Sequence, residues 1–117
     1  MQAPYWKNDP EEHDYPAALD YLSLVMEPRE AKAIVKRLQK APTMTRKAKD
    51  ILRASQLALL DTNNKHVHSD LEKAKGGDKL SPVLLVRGSP LVVADGYHRV
   101  CASYWLDENT DIPCRLV

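Results

Sequence analysis

Val92-Val93-Ala94-Asp95-Gly96-Tyr97-His98-Arg99-Val100-Cys101-Ala102 is the stretch that decides the fold of this chain. An apolar, strand-compatible run leads into an Asp-Gly turn, and the turn leads into a helix-compatible run that reaches Leu106. Strand, glycine turn and helix start in that order place His98 and Arg99 at a helix N-terminus. Free backbone N–H groups and the positive end of the helix dipole meet there, which suits an anion. An arginine fork and an imidazole beside them make the stretch a candidate phosphate or nucleotide site.

The flanks support this reading. Pro82-Val83-Leu84-Leu85-Val86-Arg87 has the composition of a buried strand, Gly88-Ser89-Pro90 makes a turn, and Leu91-Val92-Val93-Ala94 returns as the hairpin partner. Downstream, residues 107–111 read as a solvated loop. Ile112-Pro113-Cys114-Arg115-Leu116-Val117 reads as a last short strand, with Pro113 pointing to an edge strand or to the start of one. Upstream, the turn cluster Asp61-Thr62-Asn63-Asn64 precedes a helix capped by Asn64 or Ser69. Its apolar positions are Val67, Leu71 and Ala74, and Gly76-Gly77-Asp78 ends it. Residues 43–60 admit two readings. Lys47-Ala48-Lys49-Asp50-Ile51-Leu52 is a short strand or a helix start, helix propensity favouring the second, and Leu57-Ala58-Leu59-Leu60 is apolar without a period.

The first 15 residues, interrupted by Pro4 and Pro10 and carrying the acidic cluster around Glu11 and Glu12, read as an irregular arm anchored by Tyr5 and Trp6. Pro16 suits a first helical turn, after which Leu19, Leu22, Val25 and Met26 recur at helical spacing. Glu27-Pro28 separates a second helix whose apolar face is Ala31, Ile34, Val35 and Leu38, with Arg29, Lys32, Lys36 and Arg37 outside it, and Pro42 closes it. The expected organisation is an arm and α-hairpin over residues 1–42 and a small α+β domain over residues 43–117.

A chain of 117 residues with 44% hydrophobic and 28% charged residues fits a globular domain. The net charge of +1 removes the simplest argument for a dedicated nucleic-acid binder. The local basic tract of Arg29, Lys32, Lys36, Lys40, Arg46, Lys47 and Lys49 keeps nucleic acid as a secondary partner, against the commoner solvated helix face. Cys101 and Cys114 are spaced for neither a zinc knuckle nor a redox pair, and Cys101 reads as a small buried residue. The start of the chain lacks a basic-then-apolar signal pattern, and no apolar run approaches the roughly 20 residues of a membrane span. A cytoplasmic protein without a membrane partner is the expectation.

Three segments together carry a family resemblance. They are Leu80-Ser81-Pro82-Val83-Leu84-Leu85-Val86, then Val92-Val93-Ala94-Asp95-Gly96-Tyr97-His98-Arg99-Val100-Cys101-Ala102, then Ile112-Pro113-Cys114-Arg115-Leu116-Val117. This order resembles the ParB/sulfiredoxin superfamily, from about Lys47 to the C-terminus, with the N-terminal hairpin outside it. The resemblance implies a small mixed sheet with flanking helices that binds a nucleotide, ATP, ADP or CTP, with Mg²⁺ as a possible companion. It implies that the Gly-x-His-Arg turn holds phosphates. Members include ATP-using sulfinic acid reductases, CTP-hydrolysing chromosome-partition clamps and a free-serine kinase. In sulfiredoxins a catalytic cysteine stands between the glycine and the histidine. Here that residue is Tyr97, and a phenol does not replace a thiolate nucleophile. Sulfiredoxin chemistry is therefore not expected, whereas nucleotide hydrolysis, phosphoryl transfer and binding without turnover stay open.

The candidate site follows. Arg99 offers a bidentate phosphate contact, or else pairs structurally with Asp95 or a backbone carbonyl. His98 donates to phosphate or moves a proton, or else bonds a carbonyl. Asp95 is a general base or Mg²⁺ contact, or else an Asx turn. Gly96 serves backbone conformation or close ligand approach. Tyr97 stacks on a base or covers the core edge. Lys49 is a further phosphate contact by analogy with upstream lysines of related domains. His66 and His68, with His98, make a weak zinc pattern that no cysteine or glutamate completes, so no metal site is expected. Asp95 and His98 are the catalytic candidates, and Gly96, His98, Arg99 and Lys49 the nucleotide contacts. The alternatives are a non-catalytic interaction module and a nucleic-acid-associated relative with nuclease-like character. The N-terminal hairpin is the surface for a protein partner or a second copy.

Overall fold

The computed structural model describes residues 5–117, so the first four residues of the arm, Pro4 included, lie outside the described residues. In chain order the elements are helices α1 (Asp14–Val25) and α2 (Pro28–Lys40), strand β1 (Met44–Lys47), helices α3 (Ala48–Ser55) and α4 (Lys65–Gly76), strands β2 (Val83–Val86) and β3 (Val92–Asp95), helix α5 (Tyr97–Leu106) and strand β4 (Asp111–Leu116). The strands form one mixed sheet in the order β1-β4-β2-β3, an α+β fold. β2 pairs antiparallel with β3 and parallel with β4, and β1 pairs antiparallel with β4.

Both faces of the sheet are covered, which explains why β2 is apolar at every position instead of alternating. Val83 and Leu85 point into a core shared with Ile51, Val67, Leu71, Val93, Val100 and Ile112, the side packed by α3, α4 and α5. Leu84 and Val86 point the other way, into a core with Tyr15, Ala18, Leu22, Val35 and Leu38 from α1 and α2. Leu84 and Leu85 are each essentially inaccessible, and burying such a side chain contributes about 1.5–3 kcal/mol. The N-terminal hairpin is thus the second layer of the sheet.

The arm is anchored as its aromatics suggest. Trp6 is buried in the first core, and a short parallel bridge joins it to Leu80, with Leu80 N donating to Tyr5 O at 2.7 Å and Lys7 N to Leu80 O at 2.8 Å. Arg115 fastens the arm and the hairpin to β4: its guanidinium donates to Gln39 O at 2.7 Å and to Asp9 at 3.0 Å.

Three expectations need correction. Strand β1 lies just before the stretch read as strand or helix, because Met-Thr-Arg-Lys has no apolar alternation and is held only by its ladder to β4. Residues 48–55 are helical, as propensity favours. Val25 is exposed although its spacing continues the buried stripe of Tyr15, Ala18 and Leu22, because it is the last residue of α1. Pro113 lies in an inner strand, fully buried opposite Thr45. Its missing N–H is tolerated because the parallel ladder to β2 begins one residue later, at Cys114. Residues 57–60 form a loop fastened to α5 by Trp105 Nε1, which donates to Leu60 O at 2.7 Å, and by the Tyr97 hydroxyl, which donates to Ala58 O. Cys101 and Cys114 are buried free thiols. Among the described residues no helix is long and apolar enough to cross a membrane.

Candidate functional site

Strand β3 reaches the turn through an irregularity. The register passes from Leu84↔Asp95 to Leu85↔Val93, leaving one extra residue on β3, a bulge that bends a strand end. Gly96 follows with φ +108° and is the N-cap of α5. A Cβ at Gly96 would lie 2.5 Å from Val83 Cγ1 and 2.8 Å from Arg99 Nη2, so both the backbone conformation and the space demand glycine. No side chain caps α5, and its first helical bond runs from Val100 N to Gly96 O. The N–H groups of the turn before it have no acceptor within the helix. The contrast with α4 is direct: there Asn64 Oδ1 accepts from His66 N and Val67 N at 3.0 and 3.1 Å.

The uncapped end of α5 opens into a polar cleft of about 250 Å³. One wall is the turn itself, Asp95 to Arg99, and the other is α4, which supplies His66, Ser69, Asp70 and Lys73. Residues 66, 69, 70 and 73 lie three or four apart and therefore share one helix face. Val67 and Leu71 carry the buried face.

Within the cleft Arg99 is already engaged. Its Nη2 donates to Asp95 Oδ2 at 3.0 Å and to Pro82 O at 3.3 Å, and the two side chains are 17% and 18% exposed. Burial raises the Asp95 pKa even so, with Arg99 opposing. The Arg99 Nε is buried without a hydrogen-bond partner among the described residues. The arm approaches the same pair: Asp14, itself buried, and His13 act on Asp95, and the charge of Arg99 acts on Glu11. His98 stacks on His66 with ring centroids 4.8 Å apart. Burial lowers the His98 pKa, His66 adds to this and Asp70 opposes it, which favours the neutral imidazole. Burial raises the Asp70 pKa against the pull of Arg99, Lys73, His98 and His66.

The structure brings Asp95, Gly96, His98, Arg99 and His66 together. It does not bring Lys49, which sits on the solvent face of α3 in a separate depression with Lys47, Asp50 and Arg53. His68 is also apart from the cleft, 3.9 Å from Glu72. Tyr97 has its hydroxyl tied to the 57–60 loop and covers the core edge. Ser69 is an interior residue of α4, not its cap, and with Asp70 and Lys73 it is part of the site that sequence reasoning missed. The signal was present as a polar stripe at helical spacing beside Val67 and Leu71, but such stripes are usually solvated.

Chemically the cleft combines two permanent cations, two carboxylates, two imidazoles, a hydroxyl and an uncapped helix start. Among the described residues no group of three or more His, Cys, Asp or Glu is placed to hold a metal ion. No protein-family model, curated protein or solved structure matches this chain.

Proposed function

We propose that this chain is a nucleotide-binding domain of the ParB/sulfiredoxin type and that the cleft between α4 and α5 receives the phosphates. The observation that carries this reading is the uncapped, glycine-started N-terminus of α5 opening directly onto Lys73, Arg99 and the His66–His98 pair. Helix-start N–H groups and flanking cations are the usual recipe for binding phosphate oxygens. A volume of about 250 Å³ falls just below the roughly 300–1,000 Å³ of small-molecule sites. It therefore accommodates a phosphate tail, with the nucleoside along the open rim. Of the two carboxylates, Asp95 holds Arg99 and Asp70 is open. If phosphoryl transfer or hydrolysis occurs here, His98 is the neutral group that exchanges a proton and Asp95 acts through Arg99.

A second reading, a non-catalytic module whose turn serves only the fold, is favoured by the engagement of Arg99 with Asp95 and Pro82 O. Thermal shift with ATP, ADP and CTP, each with and without Mg²⁺, separates the two. A nucleotide-dependent rise in melting temperature that Lys73→Ala abolishes supports binding at the cleft. No rise at millimolar concentrations of any of them leaves the fold-only reading.

A further inference from the structure

We propose that Asp70 makes this cleft selective for a phosphate group that still carries a proton, over a fully ionised anion of the same shape and size such as sulfate. The inference rests on the cleft being a phosphate site and names the protonation state it accepts. Asp70 lies on the face of α4 that also presents His66 and Lys73, opposite Arg99 and His98 of α5. Asp95, the other carboxylate, is satisfied by Arg99 at 3.0 Å. Asp70 makes no hydrogen bond or ion pair among the described residues, so its oxygens face the cleft as open acceptors.

The selectivity follows from donor and acceptor counts. An ionised carboxylate only accepts hydrogen bonds. Lys73, Arg99 and the α5 N–H groups attract phosphate and sulfate alike, so they contribute affinity without discrimination. Sulfate brings no proton and sets its lone pairs against those of Asp70. A phosphate group that keeps one proton donates it to Asp70 and turns the same contact into a charge-assisted bond. The charged and titratable groups acting on Asp70 are Arg99, Lys73, His98 and His66, and all of them can donate to either anion.

The test is an NMR chemical-shift titration of the intact chain with inorganic phosphate and with sulfate, at about pH 6, where phosphate groups keep a proton. Divalent cations are omitted and ionic strength is held constant. The wild-type protein is expected to prefer phosphate by about tenfold or more, the worth of one hydrogen bond to a charged group. In Asp70→Asn the amide can donate, so sulfate binding strengthens and the preference collapses toward unity. Equal wild-type affinities for the two anions, or a preference that survives in Asp70→Asn, overturns the role of Asp70. The wild-type comparison needs no folded variant. Binding of neither anion also overturns it, and if ATP, ADP and CTP fail as well, the phosphate-site reading falls with it.

Discussion

Replacing Gly96 with alanine probes the turn on which the site is built, and two other glycines dissect the cost. At Gly96 two penalties coincide: φ is +108°, and the new Cβ would sit 2.5 Å from Val83 Cγ1. Val83 is fully buried in the sheet core and cannot move aside freely. Gly77 has φ +89° with nothing within 4 Å of an added Cβ, so it carries the conformational penalty alone. Gly76 ends α4, also with nothing within 4 Å, and has no positive φ. Left-handed backbone costs an L-residue about 1–2 kcal/mol, and overpacking a tight core costs about 1–3 kcal/mol. Gly96→Ala should therefore lose about 2–5 kcal/mol, Gly77→Ala about 1–2, and Gly76→Ala should be neutral or gain up to about 1. Domains of this size have about 5–15 kcal/mol in total, so the first substitution removes a large share. The assay is urea denaturation followed by circular dichroism. With a slope of about 1.5 kcal/mol/M, a loss of about 3 kcal/mol lowers the midpoint by about 2 M. A Gly96→Ala protein within about 0.5 kcal/mol of Gly77→Ala, where surface-type changes ordinarily fall, would refute the steric part of the reasoning.

Further outcomes follow from the titrating groups and the thiols. The Asp70 pKa is raised by burial, so its stabilising contribution is present below its unfolded value, about 3.9, and is lost as pH rises through the folded value. Asp70→Asn should consequently be more stable than wild type at neutral pH, the gap closing as pH falls toward about 4; a gap independent of pH contradicts this. The His98 pKa is lowered by burial and by His66, so its imidazole should titrate by NMR below about 6.5, and His66→Ala should move the midpoint upward. Cys101 and Cys114 are buried and burial pushes the Cys114 thiol up to about 11, so a thiol reagent should label neither until denaturant unfolds the chain. Rapid labelling of the native protein is inconsistent with that core.

Sequence alone determined the parts whose signals are local. The β2–β3 hairpin, the Gly96 turn and the start of α5 follow from an apolar run, a glycine and a helix-compatible run in immediate succession. The face of α2 was likewise legible, and the cap of α4 was narrowed to Asn64 or Ser69, because periodicity and capping act over a few residues. Tertiary structure alone decided what depends on partners far away in the chain. β1 is a strand because β4 is beside it, and Pro113 sits inside the sheet because the β2 ladder starts after it. The all-apolar run of β2 showed that it is buried, but only packing showed that α1 and α2 cover its second face. The site divides the same way. Asp95, Gly96, His98 and Arg99 are neighbours in sequence and could be named from it. Ser69, Asp70 and Lys73 became part of the site only when α4 packed against α5, because a polar helix stripe looks the same in sequence whether it faces water or a cleft.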